Sequence, residues 1–165
     1  MNAITEDYVR ILKQANIDGD GLAAWDPYCG DGALMETLTR MFGKVYASDP
    51  SGSEFPAAIK ADPHETAPPG VIDWIITRPP KDEYVRAAWR FMDVAGAGFI
   101  MLSGASAFFR RRTFTNLVSE VVPETVIFSP QRRKYGKSMY DFPMAAIWTK
   151  GFNWDGGPTT LEFLK

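Results

Sequence analysis

The sequence predicts an α/β domain built on a seven-stranded, mostly parallel sheet that closes with an antiparallel hairpin at its C-terminal end. Three observations predict it. Short apolar runs alternate with segments of helical periodicity along the first 121 residues. Three successive strand candidates end in an aspartate: Asp26, Asp49 and Asp62. The last two strand candidates, 124–129 and 142–150, have no helix between them, so they are expected to pair as antiparallel neighbours.

Each element follows from its residues. Residues 5–16 place Tyr8, Val9, Ile11 and Leu12 at helical spacing, with Thr5 as the expected N-cap, and the turn at 17–21 (IDGDG) ends that helix. Residues 22–26 (LAAWD) form a short apolar strand. The turn Pro27-Tyr28-Cys29-Gly30-Asp31-Gly32 follows, and 33–42 reads as a helix. Residues 44–49 are a second strand and 57–62 a third, weaker one. Residues 71–77 (VIDWIIT) are rich in β-branched side chains and read as a buried strand. In 80–96, Tyr84, Ala88, Phe91 and Val94 recur at helical spacing. A strand at 98–103, a helix at 105–121 and a strand at 124–129 continue the alternation. A polar, basic loop at 130–141 leads to the last strand, 142–150. The remaining residues, 151–165, include Gly156, Gly157 and Pro158 and are expected to be a peripheral tail, leaving 1–150 as the single domain.

A chain of 165 residues with 45% hydrophobic and 23% charged residues suits one globular domain. No apolar run approaches the roughly 20 residues that span a bilayer. The N-terminus carries acids where a signal peptide carries basic residues, so a cytoplasmic protein is expected, with no membrane partner. Cys29 is the only cysteine, which excludes an internal disulfide and leaves no expectation of a metal site. The net charge of −2 conceals an asymmetry. Residues 1–77 carry 5 basic and 12 acidic side chains, whereas 78–150 carry 12 basic and 6 acidic ones. The second half is therefore expected to offer a basic face to an anionic partner such as nucleic acid, although two solvated faces could also differ in this way.

The turn after the first strand holds the clearest functional signal. Its glycines let the backbone approach a ligand at the C-terminal edge of the sheet. The third glycine of the dinucleotide fingerprint is absent. The segment Asp26-Pro27-Tyr28-Cys29-Gly30-Asp31-Gly32 instead resembles the first motif of the class I S-adenosylmethionine (SAM)-dependent methyltransferases, commonly acid-Pro-x-x-Gly-x-Gly. The resemblance extends over residues 3–150 and implies a Rossmann-like fold with SAM, and its product S-adenosylhomocysteine, across the strand ends. It implies cofactor contacts from Thr5, Asp26, Pro27, Tyr28, Gly30, Gly32 and Thr77, with Asp49 accepting the ribose hydroxyls and Asp62 meeting the adenine amine. Any one of these acids could be a helix N-cap or loop acid; three ending successive strands point to the cofactor. Cys29 reads as a small packing residue, and His64 as a loop residue flanking the adenine end, with general-base work the lesser alternative.

The order of motifs looks like that of the amino-methyltransferases acting on exocyclic amines of nucleic-acid bases, above all adenine. Their fourth motif reads Asp/Asn-Pro-Pro-aromatic. The first side chain and the first proline's carbonyl accept hydrogen bonds from the target amine, and the ring stacks on the flipped base. Here the motif reads Arg78-Pro79-Pro80-Lys81. Arginine has no acceptor and lysine has no π-face. Three outcomes are open. Arg78 could hold a carboxylate or phosphate of a different acceptor. The scaffold could be noncatalytic and partner an active subunit, or form a homodimer. Or an acceptor and a ring could come from Asp141, Tyr135 or Tyr140. Lys81, Arg132, Arg133, Lys134, Tyr135 and Lys137 are the expected nucleic-acid contacts, with Arg110, Arg111 and Arg112 beside Phe108 and Phe109 as a second basic cluster that could equally face water. Every gap between elements is short, so sequence-specific DNA recognition is expected to need a second subunit.

Overall fold

The computed structural model describes residues 3–109, 115, 122–135, 139–151 and 159–164. In chain order the elements are α1 (Ala3–Gln14), β1 (Ala23–Asp26), α2 (Met35–Met41), β2 (Lys44–Asp49), β3 (Ile59–Lys60), β4 (Trp74–Thr77), α3 (Tyr84–Val94), β5 (Gly98–Gly104), α4 (Ala105–Phe108), β6 (Thr125–Phe128), β7 (Arg133–Tyr135), β8 (Met139–Asp141), β9 (Pro143–Thr149) and β10 (Thr160–Phe163). Among the described residues, eight strands form one sheet in the order β10-β6-β9-β5-β4-β1-β2-β3, and β7 and β8 pair separately as an antiparallel hairpin. In the large sheet β9 alone runs against its neighbours, β5 and β6; every other pairing is parallel.

The central strands are buried on both faces, and the two-residue period of a strand sorts their side chains into two cores. In β5, Ile100 and Leu102 enter one core while Phe99 and Met101 enter the other. In β9, Ala145 and Ile147 join the first, and Met144, Ala146 and Trp148 the second. Tyr8, Ile11 and Leu12 of α1 and Leu38 of α2 cover the first core. Ala87, Ala88 and Phe91 of α3 and Phe108 of α4 cover the second. The rings of Phe99 and Trp148 stack with centroids 4.5 Å apart. Beside this pair the strands run so close that a Cβ at Gly98 would lie 2.3 Å from the Trp148 carbonyl oxygen.

The sheet agrees with the expected mostly parallel α/β architecture, with differences at its edges. It has eight strands rather than seven. The eighth, β10, comes from the segment expected to be a peripheral tail and pairs in parallel with β6. The expected antiparallel pair is β6 with β9, toward the end of the sheet, where β9 inserts between β5 and β6. Helix α1 begins at Ala3, so Thr5 is not its N-cap; Thr5 lies in the first turn and is buried. The cause is Ile4, which packs on the core and extends the apolar stripe upstream. Part of the expected loop 130–141 is the β7–β8 hairpin. Most of the helix expected at 105–121 lies outside the described residues. No helix among the described residues is long and apolar enough to cross a membrane.

Candidate functional site

From β1 the chain proceeds outward to β2 and β3, then returns to place β4 on the other side of β1. Open α/β sheets bind ligands beyond the C-terminal ends of the strands where the order reverses in this way. Asp26 ends β1 and Thr77 ends β4, so the two side chains meet there. Thr77 Oγ1 donates to Asp26 Oδ1 at 2.6 Å, and the Tyr28 amide donates to the same oxygen at 3.2 Å. Asp26 is 2% exposed. Burial pushes its carboxyl up to about 7, against the opposing pull of those two hydrogen bonds and the Arg78 charge.

The turn after β1 is tied to β2. The Cys29 amide donates to the Ser48 carbonyl at 3.0 Å, and the Gly30 amide to Asp49 Oδ2 at 3.1 Å. Burial pushes the Cys29 thiol up, which suits a packing residue and not a nucleophile. Gly30 and Gly32 both have positive φ, +54° and +75°. A Cβ at Gly32 would strike the Phe55 ring at 2.6 Å, whereas one at Gly30 would meet nothing within 4 Å. Gly30 faces the open space of a cleft lined by Thr5, Tyr8, Asp26, Tyr28, Leu34 and Arg78 among others.

Asp49 and Asp62 stand beside this cleft and do not line it. Asp49 Oδ1 accepts the Ser51 amide at 2.9 Å, while its other oxygen takes the Gly30 amide. Asp62 Oδ1 accepts the His64 amide at 2.8 Å, so it caps its own turn. Asp62 is joined to the cleft through His64, whose Nε2 lies 3.0 Å from Tyr28 Oη and 3.2 Å from Glu83 Oε2. Burial holds the His64 pKa below its ordinary value, helped by the nearby Arg86 charge.

Arg78 separates this cleft from a second one, of about 220 Å³, lined by Tyr8, Pro79, Lys81, Tyr84, Ser103 and Asp141 among others. Tyr8 and Arg78 belong to both. Asp141 is tied to the segment beside it. Its Oδ1 accepts the Phe142 and Ser106 amides at 2.8 and 3.1 Å, and its Oδ2 accepts the Ser106 amide and hydroxyl at 3.0 and 2.5 Å. Three donors make these four contacts, the Ser106 amide being shared between the two oxygens, and they hold the buried carboxylate against its own loop. Gly104 permits this, since a Cβ there would lie 2.3 Å from Asp141 Oδ2.

Tyr8 and Ser103 are among the lining residues that the sequence reading did not place at the site. Tyr8 hides in the apolar stripe of α1. Ser103 had a signal of the same kind as the acids: it is a polar residue at the C-terminal end of a strand.

The basic residues divide. Arg133 Nε and Nη2 bind Asp7 Oδ2 and Oδ1 at 2.6 and 3.1 Å, and Asp7 is 1% exposed. Arg133 thus fastens β7 to α1. Arg132 is exposed, its guanidinium 6.0 Å from the Phe142 ring, and Lys134 and Lys81 are also exposed. Tyr135 is paired by its backbone to Met139. Lys137 and Arg110–Arg112 lie outside the described residues.

No protein-family model matches the chain, and no curated protein matches it in sequence. Solved structures do match. The N-methyltransferase NodS from Bradyrhizobium japonicum aligns over 90% of this chain and 97% of its own, at 11% identity and a TM-score of 0.63. Magnesium protoporphyrin IX methyltransferase from Synechocystis, solved with bound SAM, aligns over 87% and 77%, at 14% identity and a TM-score of 0.54. A type I restriction-modification methyltransferase subunit from Streptococcus thermophilus aligns over 93% of this chain and 45% of its own, at 13% identity and a TM-score of 0.57. The present chain spans less than half of that subunit. The fold is the Rossmann-like one of the SAM-dependent methyltransferases.

Proposed function

We propose that this chain binds SAM at the β1–β4 cleft and is a methyltransferase-like protein, related to the adenine-amine group, whose acceptor chemistry is altered or lost. One observation carries the proposal: the glycine turn, the buried Asp26 carboxyl and the Asp49 carboxylate converge at the point where the strand order reverses. The residues fit the cofactor. Gly30 leaves open space where a side chain would intrude. Asp49 keeps lone pairs for ribose hydroxyls beyond its two backbone contacts. Asp26, held by Thr77, offers a negative charge to a cationic ligand. When bound, SAM would supply an electrophilic methyl group on a sulfonium centre. Pro79 and Pro80 keep their carbonyls, but Arg78 offers only donors, which supports a change of acceptor over ordinary base methylation.

The burial of Asp141 and its contacts to Ser106 and Phe142 favour a second reading, a noncatalytic SAM-binding subunit that partners an active enzyme. Transfer of labelled methyl groups to DNA, RNA and small molecules separates the two readings. For the cofactor itself, titration calorimetry is expected to give one site for SAM and for S-adenosylhomocysteine, weakened in Asp49→Ala. No binding of either ligand at millimolar concentration would falsify the proposal.

A further inference from the structure

The second cleft holds an unsatisfied group. Ser103, near the end of β5, is 1% exposed, and its Oγ has no hydrogen-bond partner among the described residues. A buried hydroxyl left in that state gives up its hydration with no bond in return, so native proteins rarely keep one without a use. The same cleft has two exposed cations at its mouth, Arg78 and Lys81, and neither makes an ion pair among the described residues. Asp141 is the acid in its wall, and that carboxylate is held by the Ser106 and Phe142 contacts. The rest of the lining is largely apolar, with Tyr8, Pro79, Tyr84 and Ala107.

We infer that this cleft binds a small monocyclic aryl carboxylate that carries a hydroxyl group. The carboxylate sits at the mouth, where the Arg78 fork receives it bidentately and Lys81 adds charge. The ring lies against the apolar wall, and the hydroxyl meets Ser103 Oγ at the base. The size agrees: about 220 Å³, below the roughly 300–1,000 Å³ of drug-sized sites, suits a single ring. Through Arg78 and Tyr8 the ligand would touch the first cleft. Its meaning as a methyl acceptor rests on the cofactor reading above; its binding does not.

The probe is 4-hydroxybenzoate, followed by amide chemical-shift perturbation and calorimetry on the full chain, with and without S-adenosylhomocysteine. Shifts are expected around Ser103 and Ala107. Arg78→Ala should weaken binding roughly tenfold or more, as loss of a charge-assisted bidentate pair does. Phenol, which lacks the carboxylate, should bind no better to the wild type than to Arg78→Ala. Benzoate, which lacks the hydroxyl, should be indifferent to Ser103→Ala, whereas 4-hydroxybenzoate should be weakened by it. Phenyl phosphate tests the other anion source, and tighter binding of it overturns the carboxylate assignment. Ser103→Ala should leave the melting temperature unchanged or raised, since it deletes an unpartnered polar group; a fall shows an internal partner and overturns the site. If S-adenosylhomocysteine binds and 4-hydroxybenzoate does not, the inference fails while the cofactor reading stands. The reverse outcome overturns the cofactor reading alone.

Discussion

Asp26 takes both of its hydrogen bonds, from Thr77 and the Tyr28 amide, on a single oxygen. Asparagine keeps an acceptor there, so Asp26→Asn preserves both bonds and removes the buried charge. The folded carboxyl titrates at about 7, against an ordinary 3.8. Between those values the native state holds a proton that the unfolded chain has released, and stability falls as pH rises through that window. Asp26→Asn should flatten this slope and exceed the wild type at pH 8 by a margin on the order of a few kcal/mol, read by denaturant unfolding at several pH values. A wild type equally stable at pH 4 and pH 8 refutes this. A cationic ligand beside Asp26 favours its charged form, so SAM should bind more tightly as pH rises through about 7, with proton release detectable by calorimetry in different buffers. Arg133 shows a different residue-scale effect. Arg133→Ala removes the bidentate partner of the buried Asp7 carboxylate, which keeps Arg10 at 3.8 Å and the Ser129 hydroxyl at 3.2 Å, and should destabilise by about 1–3 kcal/mol, read by denaturant unfolding.

At the scale of elements, β5 and β9 form the rigid centre. In Gly98→Ala the added methyl meets a backbone oxygen of the neighbouring strand, which no rotamer change relieves. A loss of about 2 kcal/mol or more is expected, seen as a lower urea midpoint at unchanged slope. These central elements were legible in the sequence because burial on both faces selects continuous apolar runs, as in Gly98–Gly104. The rim was not. Thr160–Phe163 has mostly exposed side chains, including Leu161 and Phe163, and becomes a strand only because β6 offers it an edge. Arg133–Tyr135 reads as a charged loop, yet the Asp7–Arg133 pair sets it beside α1, and no local pattern encodes a partner 126 residues away. The site divides likewise. The strand-ending acids were visible as a series along the chain. The shared wall of Tyr8 and Arg78 exists only once α1 is laid over the ends of β1 and β4.

Over the whole molecule, the charge asymmetry of the sequence leads to a salt-dependent expectation. If the second half meets nucleic acid, binding should be tolerant of sequence and should weaken steeply with salt, each lost phosphate contact lowering the slope by roughly 0.9 on duplex DNA. The variant to compare is Arg132→Ala with Lys134→Ala in a filter-binding or anisotropy titration. Arg133 is unsuitable, because its loss unsettles α1 and not merely the surface. Undetectable affinity for single strands and duplexes at low salt assigns the basic residues another purpose. The insertion of β9 between β5 and β6 also bears on how the chain is made. Both sheet neighbours of β6, namely β9 and β10, lie downstream of it in the sequence. At roughly 5–20 residues per second, a ribosome needs on the order of 1–4 s to travel from the end of β6 to the end of β9. Throughout that interval the nascent protein holds a bare β5 flank and a stranded β6. The β5–β9–β6 unit therefore closes only after β9 has followed β6 out of the ribosome, and a synthesis pause that exposes Phe128 while still withholding Pro143 leaves β6 most open to capture by a chaperone or by another unfinished chain.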